Sequence, residues 1–126
     1  MPCTRKEEAP LLVDSPVVRG RYAELDDCTV SFETFPEDAD GTPAFPGLPD
    51  DRCQGPHWGM VISGLLQLRY RDRTECYAAG DVYHAPPGHL PVVAAGTGTI
   101  DFGPSDELRE TTAVVAADMS RAGGAR

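Results

Sequence analysis

The chain has 126 residues, enough for one domain and too few for two with sound cores. Its composition is that of a globular protein, with 40% hydrophobic and 25% charged residues, and its net charge of −9 excludes the Lys/Arg surface that a nucleic-acid partner requires. No apolar run approaches the ~20 residues of a membrane span, and "MPCTRKEEAPLLVDSP" lacks the apolar core of a secretory signal, so a cytoplasmic protein with no membrane partner is expected. The four cysteines, Cys3, Cys28, Cys53 and Cys76, are then expected as thiols; two disulfides are the reading for a secreted chain.

Thirteen Gly and twelve Pro punctuate the chain often, which suits many short strands better than long helices. Residues 1–15 read as a flexible N-terminal arm. In "CTVSFETF" (28–35), Thr29, Ser31 and Glu33 alternate with Val30, Phe32 and Thr34, the pattern of a half-buried strand. The Pro- and acid-rich loop 35–51 follows, where proline removes ladder donors and breaks helices. It runs into the Cys53/His57 region, so it reads either as a flap beside a site or as a solvated surface excursion.

Strands then come quickly: "WGMVIS" (58–63), "LLQLRY" (65–70), "TECYAA" (74–79), "DVYHA" (81–85), "HLPVVAA" (89–95) and "GTIDF" (98–102). Turn residues between them mark an all-β sandwich or barrel over 16–104. In "LLQLRY", Leu66, Leu68 and Tyr70 share a core face, with Gln67 and Arg69 on the solvent side. Cys28 and Cys76 are expected in the core, and Trp58 in packing between sheets. The C-terminal segment 105–126 offers a helix over "SDELRETTAVVAADMS", with Ser105 as cap and acids in the first turn, ending in a disordered tail. Its "TTAVVAA" centre suits a strand equally well.

All three histidines, His57, His84 and His89, fall in the strand-rich half near Cys53, and clustered His and Cys are the first requirement of a metal site. On one extended strand Cys53 and His57 would sit ~13 Å apart, too far to share an ion. Gln54-Gly55-Pro56 between them is turn chemistry. A reversal there lets both side chains converge on one ion from neighbouring strands, which bring Cβ atoms to ~5 Å. Cys53 with His57 can also be read as a thiol nucleophile and its base. His84, between Tyr83 and Ala85, reads as a partly exposed strand histidine.

These residues resemble the two signatures of the cupin superfamily, G-x5-H-x-H-x3-4-E-x6-G and G-x5-P-x-G-x2-H-x3-N. Gly80, Pro86 and Gly88 match the glycine/proline skeleton of the second, and Gly64 matches the closing glycine of the first. Counting back from Gly64, His57 stands at the glutamate position, Cys53 at the second histidine and Asp51 at the first. Pro91 replaces the second-signature histidine, and His89 lies two residues earlier, on the same strand face. The chain is also similar to a subset of small bacterial cupin-like proteins.

The resemblance implies a single double-stranded β-helix, a jelly-roll cupin barrel. It implies one divalent metal held by Cys53, His57 and His89, with Asp51 or water in the fourth position. This sulfur/nitrogen set favours zinc over iron, with copper as an outsider. The expected function is Lewis-acid catalysis on a small polar metabolite of a bacterial biosynthetic pathway, of lyase, isomerase, cyclase or N–N condensation type. No Glu, Asp or His is expected to face inward beyond these ligands, which leaves Tyr83 or Tyr70 as acid/base groups. The alternatives are an Fe(II)-dependent dioxygenase and, in another class, a non-catalytic small-ligand binding or sensing barrel. A homodimer is expected from the pairing habit of small barrels.

Overall fold

A computed structural model describes residues 3–42 and 45–124. Among these, the strands are β1 (Leu11–Asp14), β2 (Arg19–Leu25), β3 (Cys28–Phe35), β4 (Ala39–Asp40), β5 (His57–Ser63), β6 (Leu65–Arg69), β7 (Thr74–Ala78), β8 (Val82–Ala85), β9 (Leu90–Val93) and β10 (Thr97–Pro104). They form a six-stranded sheet in the order β1-β2-β3-β10-β5-β8 and a four-stranded sheet in the order β4-β9-β6-β7, all pairings antiparallel. This is an all-β jelly-roll closed by one helix, α1 (Ser105–Gly124).

The chain passes from the larger sheet to the smaller at Gly64, whose φ of 80° favours glycine. A Cβ there would also strike the side chain and Cα of Thr97. Thr97 Oγ1 in turn accepts from the Leu65 amide at 3.0 Å, tying β10 to the corner. The core lies between the sheets: Leu66, Leu68, Tyr70 and Val93 meet Val61, Tyr83 and Ala85. Leu66, Leu68 and Tyr70 are buried as their alternation predicts, and Arg69 is exposed.

The structure corrects several expectations. Residues 11–14 are not a loose arm: they pair with β2, a strand the sequence pattern did not reveal. The 35–51 loop contains a two-residue strand, β4, paired with β9, and a 3-10 turn at Pro49–Asp51. Its Phe45 and Leu48 pack with Cys53 and Leu90, so part of the loop lies against the Cys53 region. Helix wins over strand after Ser105, with Asp106 and Glu107 in the first turn. The Ser105 hydroxyl is bound to Thr29 Oγ1 at 2.8 Å, fastening the helix start to β3. The expected disordered tail falls partly at residues 125–126, outside the described residues. No described helix is long and apolar enough to cross a membrane.

All four cysteines are unpaired, but Cys76 is exposed and Cys28 only half-buried, so neither belongs to the core. Trp58 is half exposed rather than packed between sheets. The reason is common to all three: the outer faces of these strands carry apolar residues, so alternation alone does not say which face is inside.

Candidate metal centre

Cys53, His57 and His89 meet at one end of the barrel. Cys53 follows the 3-10 turn and exchanges backbone hydrogen bonds with the β8–β9 connection. Its amide donates to the His89 carbonyl at 3.0 Å, and the Gly88 amide donates to the Cys53 carbonyl at 2.8 Å. Cys53 is therefore seated beside His89 by its backbone. Gln54-Gly55-Pro56 then turns the chain, and His57 opens β5. The reversal places Cys53 Sγ 3.4 Å from His57 Nε2. The ligating atoms of Cys53, His57 and His89 all lie within 4.8 Å of one another. Tetrahedral coordination with ligand bonds of 2.0–2.3 Å needs separations of ~3.3–3.8 Å, so a shift of a fraction of an ångström to about one would close the set.

Protonation favours the same role. His89 Nδ1 lies 2.8 Å from the Pro86 carbonyl, which only accepts, so Nδ1 carries the proton and Nε2 is left as the ligand atom. Burial pushes both imidazoles down to about 4; for His89 the Pro86 hydrogen bond opposes this and His57 adds a further lowering. Both rings are therefore neutral near pH 7, as metal ligation requires. Burial pushes the Cys53 thiol up to about 11, so without a cation beside it the sulfur keeps its proton. A soft sulfur with two imidazole nitrogens is a set that fits zinc.

The other candidates lie elsewhere. Asp51 is solvent-exposed and its Oδ1 accepts from the Gly47 amide at 3.0 Å, outside the Cys/His/His group. His84 stacks on Trp58 on the outer face of the larger sheet, with ring centroids 5.0 Å apart. The Tyr70 ring stands edge-on to His89 at 6.3 Å, and its buried hydroxyl has no hydrogen-bond partner among the described residues. The Tyr83 hydroxyl donates to Asp101 Oδ2 at 3.1 Å.

That last contact exposes residues the sequence reading missed. The expectation that no further carboxylate faces inward is overturned by Asp101 and Glu33. Cross-strand register places Tyr22, Ser31, Asp101, Gly59 and Tyr83 in one row across β2, β3, β10, β5 and β8. Glu33, two residues along from Ser31 on the same face, accepts a 2.7 Å hydrogen bond from the Tyr22 hydroxyl. Burial raises both carboxyls above their ordinary range, and Asp101 raises Glu33 further. Two glycines make room. A Cβ on Gly59 would lie 2.5 Å from the Asp101 Cβ, and one on Gly103 would lie 2.7 Å from the Pro56 carbonyl and 3.3 Å from His57 Nδ1. The signal was present in the alternation of Thr97, Thr99 and Asp101 on β10.

A search of solved structures finds this architecture widely. An RmlC-like cupin from Shewanella frigidimarina matches with a TM-score of 0.61 at 15% identity, over 81% of this chain and 88% of that one. The chain has a cupin fold. The cupin barrel is also shared with the polyketide cyclase RemF from Streptomyces resistomycificus, with a TM-score of 0.58 at 17% identity over 83% of this chain and 80% of RemF. AerE from Microcystis aeruginosa matches with a TM-score of 0.60 at 17% identity over 77% of this chain, which spans 46% of AerE. At these identities the likeness establishes the fold. No protein-family model and no curated protein matches the chain by sequence.

Proposed function

We propose that this cupin is a metal-dependent enzyme acting on a small polar metabolite, with Cys53, His57 and His89 holding one divalent ion, zinc before iron. The observation that carries this reading is the convergence of a thiol sulfur and two imidazoles at the barrel end, with all three ligating atoms within 4.8 Å. A bound cation would supply Lewis-acid polarisation of a substrate oxygen or nitrogen. The fourth position is assigned to water or substrate, since the Asp51 carboxylate is engaged by Gly47. Zinc has no redox chemistry, so lyase, isomerase, cyclase or condensation reactions suit the set. The polyketide cyclase RemF shares the fold and puts cyclisation among the first reactions to screen.

Within the chain, Tyr70 is the proton donor we assign to the reaction. Its hydroxyl is buried with no hydrogen-bond partner among the described residues, and burial, with Glu75 adding to it, pushes its pKa up to about 12, so it is protonated near neutral pH. Tyr83 is also held protonated, by burial and by Asp101, and its proton is committed to that carboxylate. We further propose a cytoplasmic homodimer. Trp58, Met60, Ile62, Val82 and Phe102 are exposed apolar side chains on the outside of the larger sheet. In a chain of net charge −9, that face is where two copies meet with least repulsion.

Elemental analysis of chain purified without chelator tests the centre, beside Cys53→Ala and His57→Ala. About one zinc per chain in the native protein, lost in both variants, is expected. About one iron would redirect the search to oxygen chemistry. No metal, with both variants folded, would leave a ligand-binding barrel.

A further inference from the structure

His57 is the one ligand of the group whose orientation is not explained by its own neighbours. His89 is fixed by the Pro86 carbonyl. His57 turns Nε2 to Cys53 Sγ, while its Nδ1 is buried with no hydrogen-bond partner among the described residues. Asp101 Oδ1 lies 3.8 Å from that Nδ1, and the other carboxylate oxygen, Oδ2, is already occupied by the Tyr83 hydroxyl. Gly59 and Gly103 keep the space around Asp101 and His57 clear, since a Cβ on either would crowd one of them. A ligating histidine commonly donates its second ring N–H to a carboxylate, which settles both tautomer and ring angle.

We propose that Asp101 is the positioning residue for His57: its Oδ1 accepts a hydrogen bond from Nδ1–H and so presents Nε2 to the Cys53/His89 group. The proposal rests on the metal-centre reading for its purpose, but not for its test. Asp101 touches no substrate; it acts through His57. The buried Nδ1 that lacks a partner is satisfied by closing the 3.8 Å gap by less than an ångström. Glu33 is a built-in comparison, a second interior carboxyl already bonded to Tyr22 and one strand farther from β5.

The test is long-range 1H–15N correlation on the metal-free full chain near neutral pH, together with zinc competition against a chelator, for the native protein, Asp101→Asn and Glu33→Gln. The expected result is the Nδ1–H tautomer of His57 in the native chain, kept in Glu33→Gln and lost in Asp101→Asn. Zinc affinity should fall by about 10–100-fold in Asp101→Asn alone. An Nε2–H tautomer in the native chain overturns the proposal, and needs no variant to fold. So does Asp101→Asn with native tautomer and native affinity. A native chain that takes up no zinc but shows Nδ1–H, lost in Asp101→Asn, supports the positioning role while removing the metal reading.

Discussion

The two sheets of this barrel solve the same burial problem in opposite ways. The smaller sheet turns Leu66, Leu68 and Val93 inward and leaves Arg69 exposed, as its alternation suggests. The larger sheet adds Val61, Tyr83 and Ala85 to that core but also turns Thr29, Ser31, Asp101 and Thr97 inward, while Trp58, Met60, Ile62 and Phe102 remain exposed. Apolar packing on the first sheet supplies stability by removing surface from water. The polar face of the second must be satisfied by hydrogen bonds, and Tyr22–Glu33 and Tyr83–Asp101 provide them. A strand's period thus establishes that two faces differ, but not which one becomes interior.

Truncating the apolar side should cost most. Leu68→Ala removes a side chain that is 3% exposed, and a loss of about 2–5 kcal/mol is expected in urea denaturation. A loss below about 1 kcal/mol would mean that the smaller sheet is not the main source of cohesion.

The polar end and the polar row should separate by pH. Burial lowers the folded-state values of His57 and His89 from 6.5 to about 4, so the unfolded chain binds more protons in that window. The stability they leave intact above 6.5 is lost as pH falls through it toward 4. The raised carboxyls of Glu33 and Asp101 act with the opposite sign, adding stability at low pH that disappears as pH rises through their folded-state values. The two pairs oppose each other from pH 6.5 to 4, so metal-free protein is expected to show only a small net slope in its urea midpoints over that window. Replacing both histidines with glutamine should leave the carboxyls' slope alone, a gain in stability as pH falls. An unchanged slope would show that the pair is not what titrates.

The outer apolar face should matter least to the single chain. Val82 is 75% exposed, so Val82→Asp is expected to alter monomer stability by no more than about 0.5 kcal/mol. The same change should shift light-scattering mass from dimer toward monomer. A dimer that is indifferent to Val82→Asp would move the interface away from this face.

Much of the barrel was legible in the sequence. Strands β3 and β5–β10 stand close to where alternation and turn residues put them, and Gly64 turns the corner that its place in the resemblance implied. Strands β1 and β2 were not legible, because "LLVD" lies in a Pro- and charge-bearing context and "RGRYAEL" shows no regular alternation. Of the site, the Cys53–His57 convergence was readable from Gly-Pro between them. His89 was readable from face-sharing with the position of Pro91. Asp101 and Glu33 were not, since an acidic residue on a half-apolar strand defaults to solvent.

The sequence by itself determined the class of fold, the turns and the candidate sulfur/nitrogen set, because local periodicity and turn chemistry act over a few residues. Only the tertiary structure decided which face of the larger sheet is interior, and that Cys53 is held by the backbone of His89. It alone put Asp101 behind His57. These depend on register between strands far apart in the chain, and register is set by how whole sheets pack, not by any one strand's pattern.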